Sequence, residues 1–205
     1  YRDVYITQRS LRFSYYLSTL TTKLPCLTSK KSNLILDIGG SYGGLIRCLS
    51  HYCQKNTYIL CELPETLLLA DYFLRTCFKN KSFLHIHDIN GLNIRSKSEL
   101  LKYDFIMITP DVFYNLKEPI IDLAINTTSL CEMTPSAQQE YTDKIESTCR
   151  YFYSVNRYGP RFDKYDTIGF SNLLFRNKWR PIKVDFNHTY HLEFLGENLG
   201  LIDDE

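Results

Sequence analysis

Within NLILDIGGSYGGLIRCL, residues 33 to 49, an aspartate closes a short apolar run and four glycines follow almost at once. Gly39, Gly40, Gly43 and Gly44 allow turns and close approaches that a side chain would block. Asp37, just ahead of them, offers a carboxylate to whatever the turn holds. A second acid, Glu62, closes the next apolar run, where a carboxylate can accept both hydroxyls of a ribose. Together these residues describe a crevice for a nucleoside.

Chemistry narrows the choice of nucleoside. A phosphate loop needs Gly-Lys-Ser/Thr after its glycines, and none follows here. A dinucleotide loop needs Gly-x-Gly-x-x-Gly, but Ser41 takes the middle position, and an acid before the turn disfavours a pyrophosphate. S-adenosylmethionine carries a sulfonium, an ammonium group and a ribose but no phosphate, which suits Asp37, the glycine turn and Glu62. A tight strand-to-helix turn would explain the glycines alone; the second acid and the strand pattern favour the cofactor.

The elements that must position these residues alternate along the chain. Residues 9 to 24 read as a helix ending before Pro25, and 33 to 38 as a first strand. A helical apolar stripe follows at 45, 46, 49, 52 and 53. Residues 57 to 63 read as a second strand, and a helix opened by Pro64 follows it. Strands are expected at 82 to 89, 103 to 109 and 120 to 128, a helix at 136 to 149, and a strand at 150 to 157. Residues 180 to 186 and 191 to 197 alternate apolar and polar, as a half-exposed antiparallel pair should. The pattern predicts an α/β fold: a doubly wound, mostly parallel, Rossmann-like sheet with a C-terminal antiparallel hairpin. It divides into a helical segment at 1–30 and a cofactor-binding domain at 31–205, one domain overall.

Composition bounds the function. The chain has 205 residues and a formal charge of +1, with no basic stripe, which argues against a nucleic-acid partner. No apolar run approaches the roughly 20 residues of a membrane helix, so no integral membrane segment is expected. Seven cysteines show no Cys-x-x-Cys pair or zinc spacing, and read as reduced thiols of a cytoplasmic protein. The Asn-x-Ser/Thr triplets at Asn80, Asn126 and Asn187 read as chance, Asn126 falling in a buried strand. A homo-oligomer is left open.

LDIGGSYGGL, YILCELPETLLLADYFL, DLAINTTSLCEM and YFYSVNR, with weaker matches at KYDFIMITP and RNKWRPIKVDFNHTYHLEF, run in order over residues 33 to about 196. They resemble the sugar O-methyltransferases, a branch of the class I S-adenosylmethionine-dependent methyltransferases. Asn-Thr-x-Ser-x-x-Glu-Met and Tyr-Phe-Tyr-x-x-Asn-Arg are more specific than the glycines. Glu62 stands where that family would have Asp, which keeps the carboxylate and lengthens its reach. Ser41 stands where glycine is common, which a negative φ would accommodate. The resemblance implies methylation of a sugar hydroxyl, in a glycan or its activated precursor.

Methyl transfer to an alcohol needs positioning and removal of the hydroxyl proton. Glu132 is the best-placed base, against a helix-capping role. His188 and His191, in the hairpin turn, are further bases, against a surface role; His85 and His87, alternating in a strand, read as structural. Asp88, ending its strand, is assigned to the adenine amino group. Asn126 and Ser129 are assigned to cofactor and acceptor respectively. Asn156 and Arg157 border the acceptor cleft, where an arginine fork suits a phosphate or carboxylate, against a salt bridge within the rim. Tyr151, Phe152, Tyr153 and Tyr158 could stack on sugars, although alternating aromatics in a strand are mostly core. No carboxylate/His cluster suggests a metal, and none is assigned. The rival readings are a methyltransferase with another small-molecule or protein acceptor, and a non-catalytic binding protein with the same fold.

Overall fold

The computed structural model describes residues 6–157, 178–186 and 191–201. Helix α1 spans Gln8–Lys23 and is opened by a capping box: the Thr7 hydroxyl accepts from the Ser10 amide, and Ser10 Oγ accepts from the Thr7 amide. It stops ahead of Pro25, as the restriction on a residue preceding proline requires. Then come β1 (Leu34–Ile38), α2 (Gly44–Tyr52), β2 (Thr57–Cys61), α3 (Pro64–Cys77), β3 (Phe83–Ile86), α4 (Lys97–Leu100), β4 (Phe105–Ile108), α5 (Pro110–Tyr114) and β5 (Ile121–Thr127). α6 (Pro135–Thr148), β6 (Cys149–Arg157), β7 (Trp179–Phe186) and β8 (His191–Asn198) complete the order. Each long helix and each strand expected from the sequence is present, with ends shifted by a few residues.

The eight strands form one sheet in the order β3-β4-β2-β1-β5-β6-β8-β7, parallel from β3 through β6 and antiparallel at β6–β8 and β8–β7. The mostly parallel α/β sheet with closing antiparallel strands is therefore as expected. Its order holds one surprise. β4 lies between β2 and β3, pairing Cys61 with Ile108 on one side and Ile86 with Ile108 on the other. Short buried apolar runs carry no mark of which neighbour they will choose.

Central strands are buried on both faces. Leu34, Leu36 and Ile38 of β1 pack into the layer with α5 and α6. Ile35 packs into the other layer, with Tyr16, Leu20, Leu45, Leu49 and Leu74 from α1, α2 and α3. Side chains alternate along a strand, so Asp37 shares the face of Ile35 and points into the α1–α2 layer. Tyr16, Leu20 and Leu27 from the described part of the 1–30 segment are among the buried residues of this layer. All seven cysteines are free. Among the described residues no helix is long and apolar enough to cross a membrane.

Candidate active site

β1 is flanked by β2 on one side and by β5 on the other, so the strands that follow β1 up to β4 lie on one side of it and those from β5 onward on the other. Ligands of open α/β sheets bind at such a reversal, beyond the carboxyl ends of the strands. The glycine turn leaves β1 there, and Thr127, Thr128 and Ser129 leave β5 beside it. Between them and α1 lies a cleft of about 260 Å³, walled by Arg9, Arg12, Phe13 and Tyr16 on one side and by Asp37, Gly39 to Tyr42 and Leu45 on the other.

Asp37 is fully buried, and among the described residues neither carboxylate oxygen has a hydrogen-bond partner. Burial, and secondarily the charge of Glu62, push its pKa up from 3.8 to about 7. Buried polar groups are almost always satisfied, so an orphaned carboxylate at the floor of a cleft marks a place for a cationic or donor ligand. The glycines are fitted around it. A Cβ on Gly40 would meet Asp37 Oδ2 at 2.4 Å, and one on Gly39, at φ +70°, would meet Ser129 Oγ at 2.1 Å. The turn is therefore glycine-rich for internal packing as well as for ligand approach.

Glu62, half-buried at the end of β2, ties the turn down: its Oε1 accepts the Ser41 amide at 2.7 Å. Ser41 has φ +55°, which corrects the expectation of a negative φ there. Thr128, across the cleft, has φ +64°. Left-handed backbone is uncommon outside glycine and an outlier for a β-branched residue, and such strain gathers at functional sites. These are the two non-glycine residues with positive φ among the described ones, and both line the cleft.

Asn126 and Asn156 are 0% and 1% exposed. Asn126 Nδ2 donates to the Ile38 carbonyl at 2.7 Å and to Ser129 Oγ; its Oδ1 accepts from the Leu130 amide at 3.1 Å and Asn156 Nδ2 at 2.9 Å. Asn156 Oδ1 accepts from the Cys131 amide, and its Nδ2 also donates to Ser154 Oγ. Asn126 has used its full hydrogen-bonding capacity inside the protein, and Asn156 has used both donors and one lone pair. Through these bonds Asn126 and Asn156, expected as ligand contacts, lock the ends of β5 and β6 to the end of β1. Ser129 is shared, bonding Asn126 and the Ile38 carbonyl while its residue lines the cleft.

The other expected site residues scatter. Asp88 follows edge strand β3, two strands out from β2, and its Oδ1 caps its own turn by accepting the Asn90 amide. The insertion of β4 thus sets Asp88 one strand farther from β2 than the sequence order suggested. The place beyond the strand next to β2 belongs to Thr109 and to Asp111 in the first turn of α5. Glu132 and Arg157 form one ion pair at 3.2 Å, both partly exposed, so the fork foreseen for an acceptor is engaged by the carboxylate foreseen as base. Phe152 and Tyr153 are core, while the Tyr151 hydroxyl donates to Glu197. His85 Nε2 lies 2.9 Å from Asp71 Oδ1, away from the cleft. His191 heads β8 opposite Arg157. His188, Tyr158 and Asn187 lie outside the described residues.

The helix expected over residues 9 to 24 carried no sign that it would wall the cleft. Arg9 and Arg12, three apart on one helix face, look like any solvated charged stripe, and only the packing of α1 over the glycine turn makes them cleft residues. The helix is anchored far away in sequence: the hydroxyls of Tyr15 and Tyr153 donate to buried Glu193 at 2.7 Å each, and Lys183 Nζ pairs with the same carboxylate.

No protein-family model matches the chain, and no curated protein matches its sequence. Solved structures do match its fold. The PH0226 protein from Pyrococcus horikoshii OT3 aligns with a TM-score of 0.66 at 12% identity, over 97% of this chain and 94% of that one. Magnesium protoporphyrin IX methyltransferase (ChlM) from Synechocystis PCC 6803 with bound SAM aligns at 0.62 and 11% identity, over 97% and 87%. The mitomycin 7-O-methyltransferase MmcR aligns at 0.52 and 13%, over 92% of this chain and 57% of that one. The fold is that of the S-adenosylmethionine-dependent methyltransferases among these neighbours.

Proposed function

We propose that the chain transfers a methyl group from S-adenosylmethionine to a hydroxyl of a sugar, in glycan or polysaccharide biosynthesis. The observation that carries the cofactor is the buried, unpartnered carboxylate of Asp37 beneath the glycine turn at the sheet's reversal point. A ligand with positive charge and hydrogen-bond donors answers that carboxylate, and the amino-acid end of S-adenosylmethionine has both. The sugar acceptor rests on the resemblance of NTTSLCEM and YFYSVNR, and MmcR supplies a neighbour that is named for methylation at oxygen.

When bound, S-adenosylmethionine supplies an electrophilic methyl carbon on its sulfonium. Asp37 would hold the positive end of the cofactor. Glu62 keeps lone pairs for ribose hydroxyls after accepting the Ser41 and Leu63 amides. Thr109 and Asp111, beyond the strand next to β2, would border the base. Gly39, Gly40 and Gly43 would let the backbone approach the cofactor closely, and Asn126, Asn156 and Ser129 hold that backbone in register. Glu132, oriented by Arg157 on the rim, takes the acceptor's hydroxyl proton. Catalysis of this kind draws mainly on alignment of the acceptor oxygen with the methyl carbon.

Calorimetric titration of S-adenosylmethionine and S-adenosylhomocysteine tests the reading. Micromolar binding, lost in Asp37→Ala and Glu62→Ala, is the expected result. A folded wild type that binds neither compound would overturn it.

A further inference from the structure

We propose that Arg9 and Arg12 form an oxyanion subsite in the cleft, and that the acceptor carries a carboxylate or phosphate that docks there; this rests on the methyl-transfer reading. Both arginines are exposed and line the same cleft as Asp37. Among the described residues neither makes an ion pair, whereas the cations nearer the β6–β8 end are engaged: Arg157 with Glu132, Lys183 with Glu193, Arg180 with Glu197. The influences on Asp37 are burial and Glu62, so the arginines are not its counter-ions. Arg9 is steadied without being neutralised. Its guanidinium lies 5.6 Å from the centroid of the Tyr42 ring, which packs edge-on against Phe73. A cation held over an aromatic face keeps its N–H groups for an oxyanion, and the planar fork suits carboxylate and phosphate.

Charge balance points to the acceptor as the source of the anion. The two arginines offset the two carboxylates of Asp37 and Glu62. S-adenosylmethionine, with sulfonium, ammonium and carboxylate, brings one net positive charge. The loaded cleft is thus cationic, and a neutral sugar would leave it so. An anionic acceptor completes it and is drawn toward it. Thr127, Thr128 and Ser129 line the same cleft; the Thr128 and Ser129 hydroxyls donate to backbone carbonyls and keep lone pairs to accept from the remainder of such a sugar.

The experiment is an NMR titration of glucose 6-phosphate, glucuronate and glucose into the full chain saturated with S-adenosylhomocysteine. It is repeated for Arg9→Gln, Arg12→Gln, the double variant and Arg12→Lys, with thermal unfolding as a check on folding. The charged sugars are expected to bind at least about tenfold more tightly than glucose. The glutamine variants should lose most of that margin, and Arg12→Lys should keep part of it. Equal binding of glucose, or a margin that survives the double variant, would overturn the proposal. So would a tenfold loss of S-adenosylhomocysteine binding in the variants with 5′-methylthioadenosine unaffected, since the pair would then serve the cofactor's own carboxylate. If wild type takes glucose 6-phosphate through the arginines but no S-adenosylhomocysteine, the methyl-transfer reading fails and the anion subsite stands.

Discussion

Asp37 and Gly40 are packed so closely that a methyl group on Gly40 would come within 2.4 Å of Asp37 Oδ2. The acid therefore dictates the glycine. Asp37 is short and buried, with little room to turn away. Gly40→Ala should cost about 2 kcal/mol, within the usual range for overpacking a core. Shortening the acid should relieve it, so Gly40→Ala combined with Asp37→Ala should be more stable than the sum of the single losses predicts. Urea denaturation of the four proteins measures this coupling; simple additivity would mean the two residues do not press on each other.

Asp37 also makes ligand-free stability depend on pH. Its folded pKa is raised from 3.8 to about 7, so between those values the folded chain binds more protons than the unfolded one. Stability must then fall as pH rises through that window, by on the order of 4 kcal/mol in all. Below about pH 4 the penalty is absent, and above about pH 7 it is complete. Asp37→Asn should flatten this slope and be the more stable protein at pH 8. A cationic ligand reverses the preference by favouring the charged form. S-adenosylmethionine should accordingly bind more tightly as pH rises toward 7 and release a proton on binding, which calorimetry in buffers of different ionisation enthalpy detects.

The paired asparagines yield a prediction about the frame rather than the ligand. Asn126→Ala removes the acceptor of the Leu130 amide and of Asn156 Nδ2 in a fully buried place. Stranding buried donors costs about 1 to 3 kcal/mol each, so a loss of about 3 kcal/mol is expected. Asn156→Ala should lose a similar amount, and the double variant clearly less than the sum, because both changes break one network. Equal and additive losses in chemical denaturation would contradict the shared network.

Glu132 separates stability from turnover. Its pair with Arg157 is partly exposed, with side chains 36% and 42% accessible respectively, so Glu132→Gln should change stability by less than about 1 kcal/mol. As the proposed general base its loss should lower kcat by about a hundredfold. A variant with unchanged kcat on an accepted sugar would remove Glu132 from the chemistry.

Alternation of apolar runs and helical stripes was enough to read the layers, because each face of this sheet is covered and each helix buries one side. Asp37 and Glu62 were legible as well, each a lone acid closing an apolar strand. Neighbours across the sheet were not. Phe105–Ile108 and Phe83–Ile86 are equally short and apolar, and nothing in either run says that the later one will sit beside β2. That one exchange displaced Asp88. Asn126 and Asn156 were visible as polar residues in apolar strands, but their mutual bond depends on β5 and β6 lying side by side with Asn126 opposite Ser154. Arg9 and Arg12 carried no signal beyond charge.

The position of β8 has a bearing on how the chain is made. β8 is synthesised after β7, yet it lies between β6 and β7 in the sheet. Until residues 191–198 have left the ribosome, β7 has no strand to join, and Trp179 waits without the Phe194 ring it meets edge-on at 6.5 Å. Glu193, on that late strand, is also the carboxylate that fastens Tyr15 of the first helix, 178 positions earlier. A nascent chain can therefore complete the glycine turn and five parallel neighbours while the wall that carries Arg9 and Arg12 is still unfastened, and the cleft is completed only with its final strand.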